Sequence, residues 1–331
     1  MIEPIRFGII GFGRHAEKRL APAFARCEIS RLTALHKRDP GPVAEACRRF
    51  DVPLGFTDPA ALAASDEVDA VIVASPPALH REHFALAAMA GKAVLVEKPL
   101  AVNSDQVETM AALAGQEQIV AGCAFVMRHV RAVTELRELL RSGGLGDIRM
   151  VTGAFAIDSA ASPRSWIDDP EMSGGGPMAD LGSHLLDLTE YLLDRPARDL
   201  KALVTPGGDR GAVERQAAVT LQFGDGILGQ IQVSFDSPFF NSLEVWGERG
   251  RARIENFHRE GEPVRLVLEV DGEDRSRTIR NGTHFSEMID GFAAAVAGAG
   301  EVPVPLATGI RNQRLLDRVY GEGGQPLARG R

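Results

Sequence analysis

A short apolar strand that ends in a carboxylate, a lysine and a proline is the segment of this chain best suited to chemistry. Residues 93–96 read Ala-Val-Leu-Val and are followed at once by Glu97, Lys98 and Pro99. In an open α/β sheet, ligands bind outside the carboxyl ends of the strands, so charged side chains placed there face a site. Proline also favours an extended backbone in the residue before it. Lys98 is therefore the first catalytic candidate, with Glu97 expected to position it; a surface Glu–Lys pair is the alternative.

A second candidate pair lies in the run Asp180-Leu-Gly-Ser-His184, after three glycines at 174–176 that predict a flexible lead into a helix. Residues four apart lie on one face of a helix, about one turn from each other, so a carboxylate and an imidazole would be held together. His184 titrates near neutral pH and suits the proton that accompanies a hydride transfer. Taken alone, such a pair is more often a structural hydrogen bond, and its interpretation as catalytic depends on Lys98.

A glycine-rich fingerprint near the amino terminus predicts a dinucleotide site. Residues 11–16 read Gly-Phe-Gly-Arg-His-Ala, directly after the apolar strand 5–10 and at the start of a helix. The first glycine allows the tight turn, the second lets the backbone approach a pyrophosphate, and the small Ala16 lets the helix pack on the strand. The pyrophosphate would meet the helix N-terminus. We therefore expect cofactor contacts from Gly11, Phe12, Gly13, Arg14 and His15.

The end of the second strand predicts which dinucleotide binds. Enzymes that use NAD carry Asp or Glu about 20 residues after the glycines, where it accepts a hydrogen bond from the ribose 2′-hydroxyl. Here that place is occupied by Lys37 and Arg38, two cations that would pair with a 2′-phosphate. The sequence therefore favours NADP. NAD is the alternative, if Asp39 reaches the ribose or the two cations form only a solvated turn.

One more loop at the same edge of the sheet is predicted to touch the cofactor. Ser75 and Pro76 follow the third strand, and the two prolines at 76 and 77 prevent helix extension and leave a loop. His80 closes this loop. Cofactor contact and a structural role at the start of a helix are equally supported for His80.

Apolar strand candidates alternate with helix-length stretches through the first part of the chain, which is typical of parallel strands with crossover helices. After a helix near 129–141 the pattern changes to longer strands joined by Gly-rich turns, and Gly224-Asp225-Gly226 predicts a hairpin. The predicted fold class is α/β. We expect a Rossmann dinucleotide-binding domain over 1–121 and an α+β domain over 122–331 with a large, mostly antiparallel open sheet.

Length and composition narrow the classes of function. A chain of 331 residues is long enough for two domains. The net charge of -8 disfavours nucleic acid, no apolar run reaches the roughly 18 residues of a membrane span, and no export signal precedes the first strand. We therefore expect a cytoplasmic protein. The three cysteines, Cys27, Cys47 and Cys123, lack metal-ligand spacing, so no metal site is predicted.

Together these motifs resemble the glucose-fructose oxidoreductase, inositol dehydrogenase and rhizopine-catabolism family, Gfo/Idh/MocA. The resemblance runs from about residue 5 to 320 and includes, besides the fingerprint, ASPPALH at 74–80, GKAVLVEKPLA at 91–101, LRELLRSGGLGDI at 136–148 and SGGGPMADLGSHLLDLTEYLL at 173–193. It implies a catalytic trio of Lys98, Asp180 and His184. Lys98 would polarise the substrate oxygen and contact the cofactor, while Asp180 would orient substrate or steady His184.

The resemblance also extends to Arg128, which is expected at the cofactor site. Many relatives carry a polar group before this arginine, but this chain has Cys-Ala-Phe-Val-Met at 123–127, which predicts a less polar pocket wall. Arg164 and Trp166 are expected to line the cofactor or substrate site; an exposed arginine and a core tryptophan are the alternatives.

The function implied by the resemblance is an NAD(P)-dependent oxidoreductase. It would transfer a hydride between nicotinamide and a hydroxyl or carbonyl carbon of a sugar, polyol or related cyclic compound. Two other functions stay open: an NAD-dependent glycosidase with transient redox chemistry, and a non-catalytic binding protein that senses a dinucleotide. By analogy, we expect a homodimer or homotetramer that pairs through the C-terminal sheet.

Overall fold

The computed structural model describes residues 3–161, 164, 166–205 and 212–323. They divide into two compact units. The first contains residues 3–125 together with Phe285–Gln313, and the second contains Val126–His284 and residues 314–323. The sequence-based boundary between 121 and 122 stays a prediction, but the chain returns to the first unit at residue 285.

A six-stranded parallel sheet forms the frame of the first unit. Its strands are β1 Ile5–Ile10, β2 Ser30–His36, β3 Leu54–Phe56, β4 Ala70–Val73, β5 Ala93–Val96 and β6 Ala121–Cys123. They are ordered β3-β2-β1-β4-β5-β6. This is the Rossmann order, in which the strand order reverses between β1 and β4 and leaves a crevice outside their carboxyl ends. The predicted fold class is confirmed.

Helices connect the strands of the first unit. They are a π-helical segment Ala16–Leu20 that continues into α1 Ala21–Phe24, then α2 Pro40–Phe50, α3 Pro59–Ala63, α4 His80–Met89 and α5 Ser104–Gln116. The side chain of Asn103 accepts a hydrogen bond from the Gln106 N–H and so caps α5. β4 and β5 are buried along their whole length, as strands covered on both faces must be.

The second unit contains a nine-stranded, mostly antiparallel sheet. Its strands are β7 Ile148–Asp158, β8 Asp199–Val204, β9 Gln216–Gln222, β10 Leu228–Ser234, β11 Asp236–Gly247, β12 Gly250–Glu255, β13 Pro263–Val270, β14 Glu273–Asp274 and β15 Arg277–Arg280. The path is β14-β13-β12-β11-β7-β10-β9-β8, and β15 pairs with β13. The predicted β9–β10 hairpin is confirmed, and β7 and β10 run parallel.

The remaining helices are α6 Arg131–Arg141, α7 Pro170–Ser173, a π-helical segment Met178–Gly182 that continues into α8 Ser183–Leu193, α9 His284–Val296 and α10 Leu306–Glu322. Of these, α6 and α8 pack on the second sheet, whereas α9 belongs to the first unit from Phe285 onward. α8 packs closely on β7 at Gly153, where a Cβ would lie only 3.0 Å from a methyl carbon of Leu185. No helix within the described ranges is long and apolar enough to cross a membrane.

Candidate active site

The turn after β1 has the shape that a dinucleotide pyrophosphate requires. Gly11 has a φ of +83°, and a Cβ there would lie 2.5 Å from backbone atoms of Ser75, so only glycine fits. A Cβ on Gly13 would have no neighbour nearer than 3.9 Å, so the outer side of the turn is open. The next helix begins at Arg14, which leaves its first N–H groups at this opening. The residues present therefore fit the cofactor that the fingerprint predicts.

The side chain of Phe12 does not face this opening. It is buried, and its ring packs edge-on against Phe50 at 5.3 Å between centroids. Its N–H donates to the carbonyl oxygen of His36 at 2.9 Å. Phe12 therefore joins the turn to the core and to the end of β2.

A buried carboxylate joins the glycine turn to the turn after β5. His15 Nε2 donates to Glu97 Oε1 at 2.9 Å, and the Lys98 N–H donates to Glu97 Oε2 at 3.2 Å. Burial alone would raise the pKa of Glu97, but the charges and hydrogen bonds of His15 and Lys98 outweigh it and lower that pKa below its usual range. Glu97 is thus ionised at neutral pH and fixes the backbone of Lys98, whose side chain is half-buried.

The loop after β4 is held by two buried histidines. His80 Nε2 lies 2.7 Å from the carbonyl oxygen of Ser75, and its Nδ1 lies 3.2 Å from that of Leu100. His83 Nδ1 lies 2.9 Å from the Ser75 hydroxyl. Burial lowers the pKa of His80, so its neutral ring donates one hydrogen bond, and the Ser75 carbonyl is the nearer acceptor. These contacts support the structural role for His80 and hold Ser75, whose backbone lies against Gly11.

His83 and His36 were not singled out by the sequence patterns, yet both lie behind the cofactor turn. Burial, together with the nearby rings of His36 and His80, lowers the pKa of His83 to about 4. Burial also lowers the pKa of His36, whose Nδ1 accepts the Gly11 N–H at 3.3 Å. Neutral imidazoles therefore support the turn at physiological pH.

The end of β2 carries both predicted cations, but one of them has an acidic neighbour. Lys37 Nζ donates to Glu17 Oε1 at 2.6 Å, and Arg38 is exposed. Asp39 is the residue before α2 and is also exposed. Glu17 lies one residue after the fingerprint, and no pattern in the sequence pointed to it.

In the second unit, the structure brings together Arg164, Trp166 and Asp180. Arg164 donates to Asp180 at 2.8 Å, and its guanidinium carbon lies 5.7 Å from the Trp166 ring centroid. The predicted helix is present, but it begins as the π-helical segment that contains Asp180 and continues into α8, which contains His184. His184 is buried, with its ring stacked on Phe155 at 6.4 Å between centroids.

The glycines that precede α8 form a clamped turn, so the prediction of a flexible lead was wrong. The buried carboxylate of Glu214 accepts the N–H groups of Gly176 and Met178 at 2.8 and 3.0 Å and the Tyr320 hydroxyl at 3.0 Å. A Cβ on Gly175 would collide with the Tyr320 hydroxyl, and one on Gly176 with the Glu214 backbone. Burial raises the pKa of Glu214.

Arg128 lies in the second unit, where it is bound to α8. Its Nε and Nη2 donate to the two carboxylate oxygens of Asp187 at 2.8 and 2.6 Å. The guanidinium also lies 4.7 Å from the Tyr191 ring centroid. This bidentate pair positions α8, and with it His184; a cofactor contact by Arg128 stays a prediction.

The cysteines show no sign of activation. Burial and the neighbouring Asp290 raise the pKa of Cys27 to about 12, and burial raises the pKa of Cys47. Cys123 is buried and lies 3.5 Å from the carbonyl oxygen of Pro305. Among the described residues, no group of three or more His, Cys, Asp or Glu side chains could hold a metal ion.

Known proteins resemble the chain over both units. A family profile described as "Oxidoreductase family, NAD-binding Rossmann fold" matches residues 5–125, and the "GFO/IDH/MocA C-terminal domain" matches residues 133–253. The dTDP-3,4-didehydro-2,6-dideoxy-alpha-D-glucose 3-reductase of Saccharopolyspora spinosa is 28% identical over 322 residues, which cover 96% of this chain and 95% of that protein. The levoglucosan dehydrogenase of Pseudarthrobacter phenanthrenivorans is 26% identical over 322 residues, covering 86% of this chain and 80% of that protein.

A solved structure extends the comparison to the fold. KijD10, a 3-ketoreductase from Actinomadura kijaniata in complex with NADP and TDP-benzene, superposes with a TM-score of 0.87 and 26% identity over 97% of this chain and 98% of that one. These relatives carry the names of enzymes that oxidise or reduce sugars. The strand order of the first unit, its open glycine turn and the two profile matches agree, and the chain therefore belongs to the Gfo/Idh/MocA family of NAD(P)-dependent oxidoreductases.

Proposed function

We propose that the protein interconverts a hydroxyl and a carbonyl group on a sugar or closely related cyclic compound, with NADP as the preferred cofactor. The observation that carries the proposal is the His15–Glu97–Lys98 connection. It places a candidate catalytic lysine at the same edge of the sheet as the glycine turn, through a buried carboxylate. Hydride transfer is assisted by a charged group beside the nicotinamide, which explains a lysine whose backbone is connected through Glu97 to the cofactor turn. A Glu–Lys pair in a surface turn would not need this connection.

In this proposal, Lys98 polarises the substrate oxygen. When bound, the nicotinamide accepts or supplies the hydride. The ammonium of Lys98 stabilises the negative charge that develops on the substrate oxygen as the hydride moves. Electrostatic stabilisation of this kind is usually the largest single contribution to catalysis. Glu97 accepts the Lys98 N–H and so holds the backbone of that residue at the edge of the sheet.

His184 carries the proton in this proposal. Oxidation of a hydroxyl needs a base, and reduction of a carbonyl needs an acid, and an imidazole is a side chain that can serve as either. The stacking on Phe155 fixes the plane of the imidazole, and the Arg128–Asp187 pair fixes the helix that carries it. Asp180, with its charge directed at Arg164, orients substrate in this scheme.

The NADP preference rests on Lys37 and Arg38. Both follow β2, where a carboxylate would accept the 2′-hydroxyl of NAD, and two cations there favour a 2′-phosphate. The NADP complex of KijD10 gives independent support. Replacement of Lys37 by Asp should weaken NADP binding by on the order of 1 to 3 kcal/mol, the worth of a charged hydrogen bond. A wild-type protein that binds NAD more tightly than NADP would contradict the preference.

We also propose that the protein forms homodimers or homotetramers through the second sheet. β8 and β10 expose Leu203 and Leu228, at 78% and 49% of their surface, on a sheet whose strands alternate buried and exposed residues. Large apolar side chains on one outer face favour pairing. Light scattering should give a mass above the monomer, and Leu203→Asp should lower it; a monomeric wild-type protein would refute the proposal.

The enzymatic proposal is tested by NADPH absorbance with a panel of candidate substrates. The panel contains free aldoses, polyols, an anhydrosugar and nucleotide-linked keto sugars, each assayed in both directions with wild-type protein and Lys98→Met. Net turnover by the wild-type protein alone supports the proposal. Release of sugar without net NADPH change would indicate the glycosidase, and cofactor binding without turnover of any compound would indicate the binding protein.

A further inference from the structure

The acidic residue missing from the end of β2 is supplied from elsewhere in the first unit. Glu17 lies in the π-helical segment that follows the fingerprint, and its Oε1 is 2.6 Å from Lys37 Nζ. The Glu17 side chain is about one quarter exposed, at 26%. A carboxylate is therefore present where the ribose 2′-position of a Rossmann cofactor is recognised, although it comes from the first helix rather than from the strand.

Two cations flank this carboxylate, and each of them lies over an aromatic ring. Arg49, in α2, lies 3.7 Å from the second oxygen of Glu17. Lys37 Nζ lies 5.7 Å from the Phe12 ring centroid, and the Arg49 guanidinium carbon lies 5.0 Å from that of Phe50. Because the two rings also pack on each other, the cations and the carboxylate between them are held as one group.

We propose that Glu17 is a specificity-determining residue that keeps the enzyme able to use NAD and limits its preference for NADP. This inference rests on the proposed function in one respect, namely that the 2′-end of the cofactor lies at Lys37. Towards NAD, the Glu17 carboxylate offers the acceptor for the 2′-hydroxyl that β2 lacks. Towards NADP, it neutralises Lys37 and repels the incoming 2′-phosphate, which carries nearly two negative charges.

The balance of charges predicts the direction of a substitution. Lys37 has three N–H donors, so it can bind Glu17 and a phosphate at once, but the repulsion between the two anions remains. Glu17→Gln removes that repulsion and keeps the size of the side chain. The Kd for NADP should fall about 5- to 20-fold, as expected for loss of one like charge near a protein surface. The Kd for NAD should stay constant or rise by about threefold, because the amide oxygen still accepts a hydrogen bond.

The experiment is calorimetric titration of NAD and NADP into the full chain. The variants are wild type, Glu17→Gln, Lys37→Met, the double variant, and Glu117→Gln, in which an exposed carboxylate at the end of α5 is removed as a control for net charge. Glu17→Gln should shift the NADP/NAD affinity ratio at least about fivefold towards NADP, and the shift should shrink at high salt. Glu117→Gln should leave the ratio unchanged. In the Lys37→Met background the gain from Glu17→Gln should be smaller, because part of it is the release of Lys37.

The outcomes separate this inference from the proposed cofactor preference. A wild-type protein that favours NAD would overturn the NADP preference, yet a shift of at least about fivefold in Glu17→Gln would still support the role of Glu17. An unchanged ratio in Glu17→Gln overturns the inference, whichever cofactor the wild-type protein prefers. If Glu17→Gln unfolds, Glu17→Asp is the second variant, because it keeps the charge but moves the carboxylate away from Lys37. The inference then requires a smaller shift of the NADP/NAD affinity ratio towards NADP. An unchanged ratio in Glu17→Asp would overturn it.

Discussion

The ion pair between Arg128 and Asp187 should be essential to the stability of the second unit. Its two hydrogen bonds are 2.8 and 2.6 Å long, and the side chains are only 13% and 2% exposed. Asp187→Ala would leave the Arg128 charge buried without its carboxylate, which costs 3 to 5 kcal/mol in typical cases. The nearby Tyr191 ring retains a cation–π contact of roughly 0.5 to 1 kcal/mol, so we expect a loss of about 3 kcal/mol.

Urea unfolding followed by tryptophan fluorescence measures this loss. The chain has two tryptophans, Trp166 and Trp246, and both lie in the second unit, so the signal reports on that unit. Asp199→Ala is the matched control, because it breaks an aspartate–arginine pair that is exposed and should have little effect. If Asp187→Ala unfolded at the same urea concentration as Asp199→Ala, the pair would not stabilise α8 and the reasoning would be refuted.

Three other predictions address the two units separately. His184→Asn should lower kcat by roughly 10² to 10⁴ with little change in NADPH Kd, whereas Lys98→Met should impair both, and a normal kcat for His184→Asn at neutral pH would exclude it as the proton carrier. Burial and the neighbouring charge of Arg128 lower the pKa of His129, in the second unit, to about 4, the same value that burial gives His83. Because both folded-state values lie below the unfolded one, stability should be complete above about pH 6.5 and fall as pH approaches 4, by on the order of 2 to 3 kcal/mol for each histidine. Urea midpoints that do not move between about pH 7 and pH 5 would disprove this. Gly11→Ala should abolish cofactor binding, measured by calorimetry, because its Cβ would meet backbone that cannot move without displacing the next loop.

The elements that the sequence predicted well were those with long apolar runs. The parallel strands of the first unit are buried on both faces, so their residues are apolar without interruption, and crossover-length stretches separate them. β3 was missed because Leu54–Phe56 has three residues and a central glycine. The sequence pattern indicates a strand only over 242–246, but β11 spans Asp236–Gly247, because Ser-Pro at 237–238 interrupts the pattern. The parallel β7–β10 pair could not be predicted, since a pairing over such a separation leaves no local pattern.

The sequence predicts those parts of the candidate site whose backbone shape depends on a single short motif. The glycine turn is such a case, since the spacing of Gly11 and Gly13 determines both the turn and its open side. The partners of these motifs were not predictable. Glu214 binds Gly176 across 38 residues, and Tyr320 reaches Glu214 across 106, so only the folded chain brings them together. A π-helical turn at Asp180 likewise follows from packing rather than from composition.

A buried carboxylate lies close to each catalytic candidate. Glu97 precedes Lys98, Glu214 binds the backbone just before Asp180, and Asp187 lies on the helix of His184, one turn away. A buried carboxylate is costly unless hydrogen bonds satisfy it, and all three accept at least two.

A shift of the loops or of the helix would take the donors away from these carboxylates and leave buried charges without hydrogen bonds. The carboxylates therefore stabilise the positions of the loops and the helix that carry the catalytic candidates. Positioning of this kind matters because misplacement of a reacting group by about 1 Å can cost 10²-fold in rate. Substitution of the carboxylates should therefore lower kcat through geometry, without removing any group that touches the substrate.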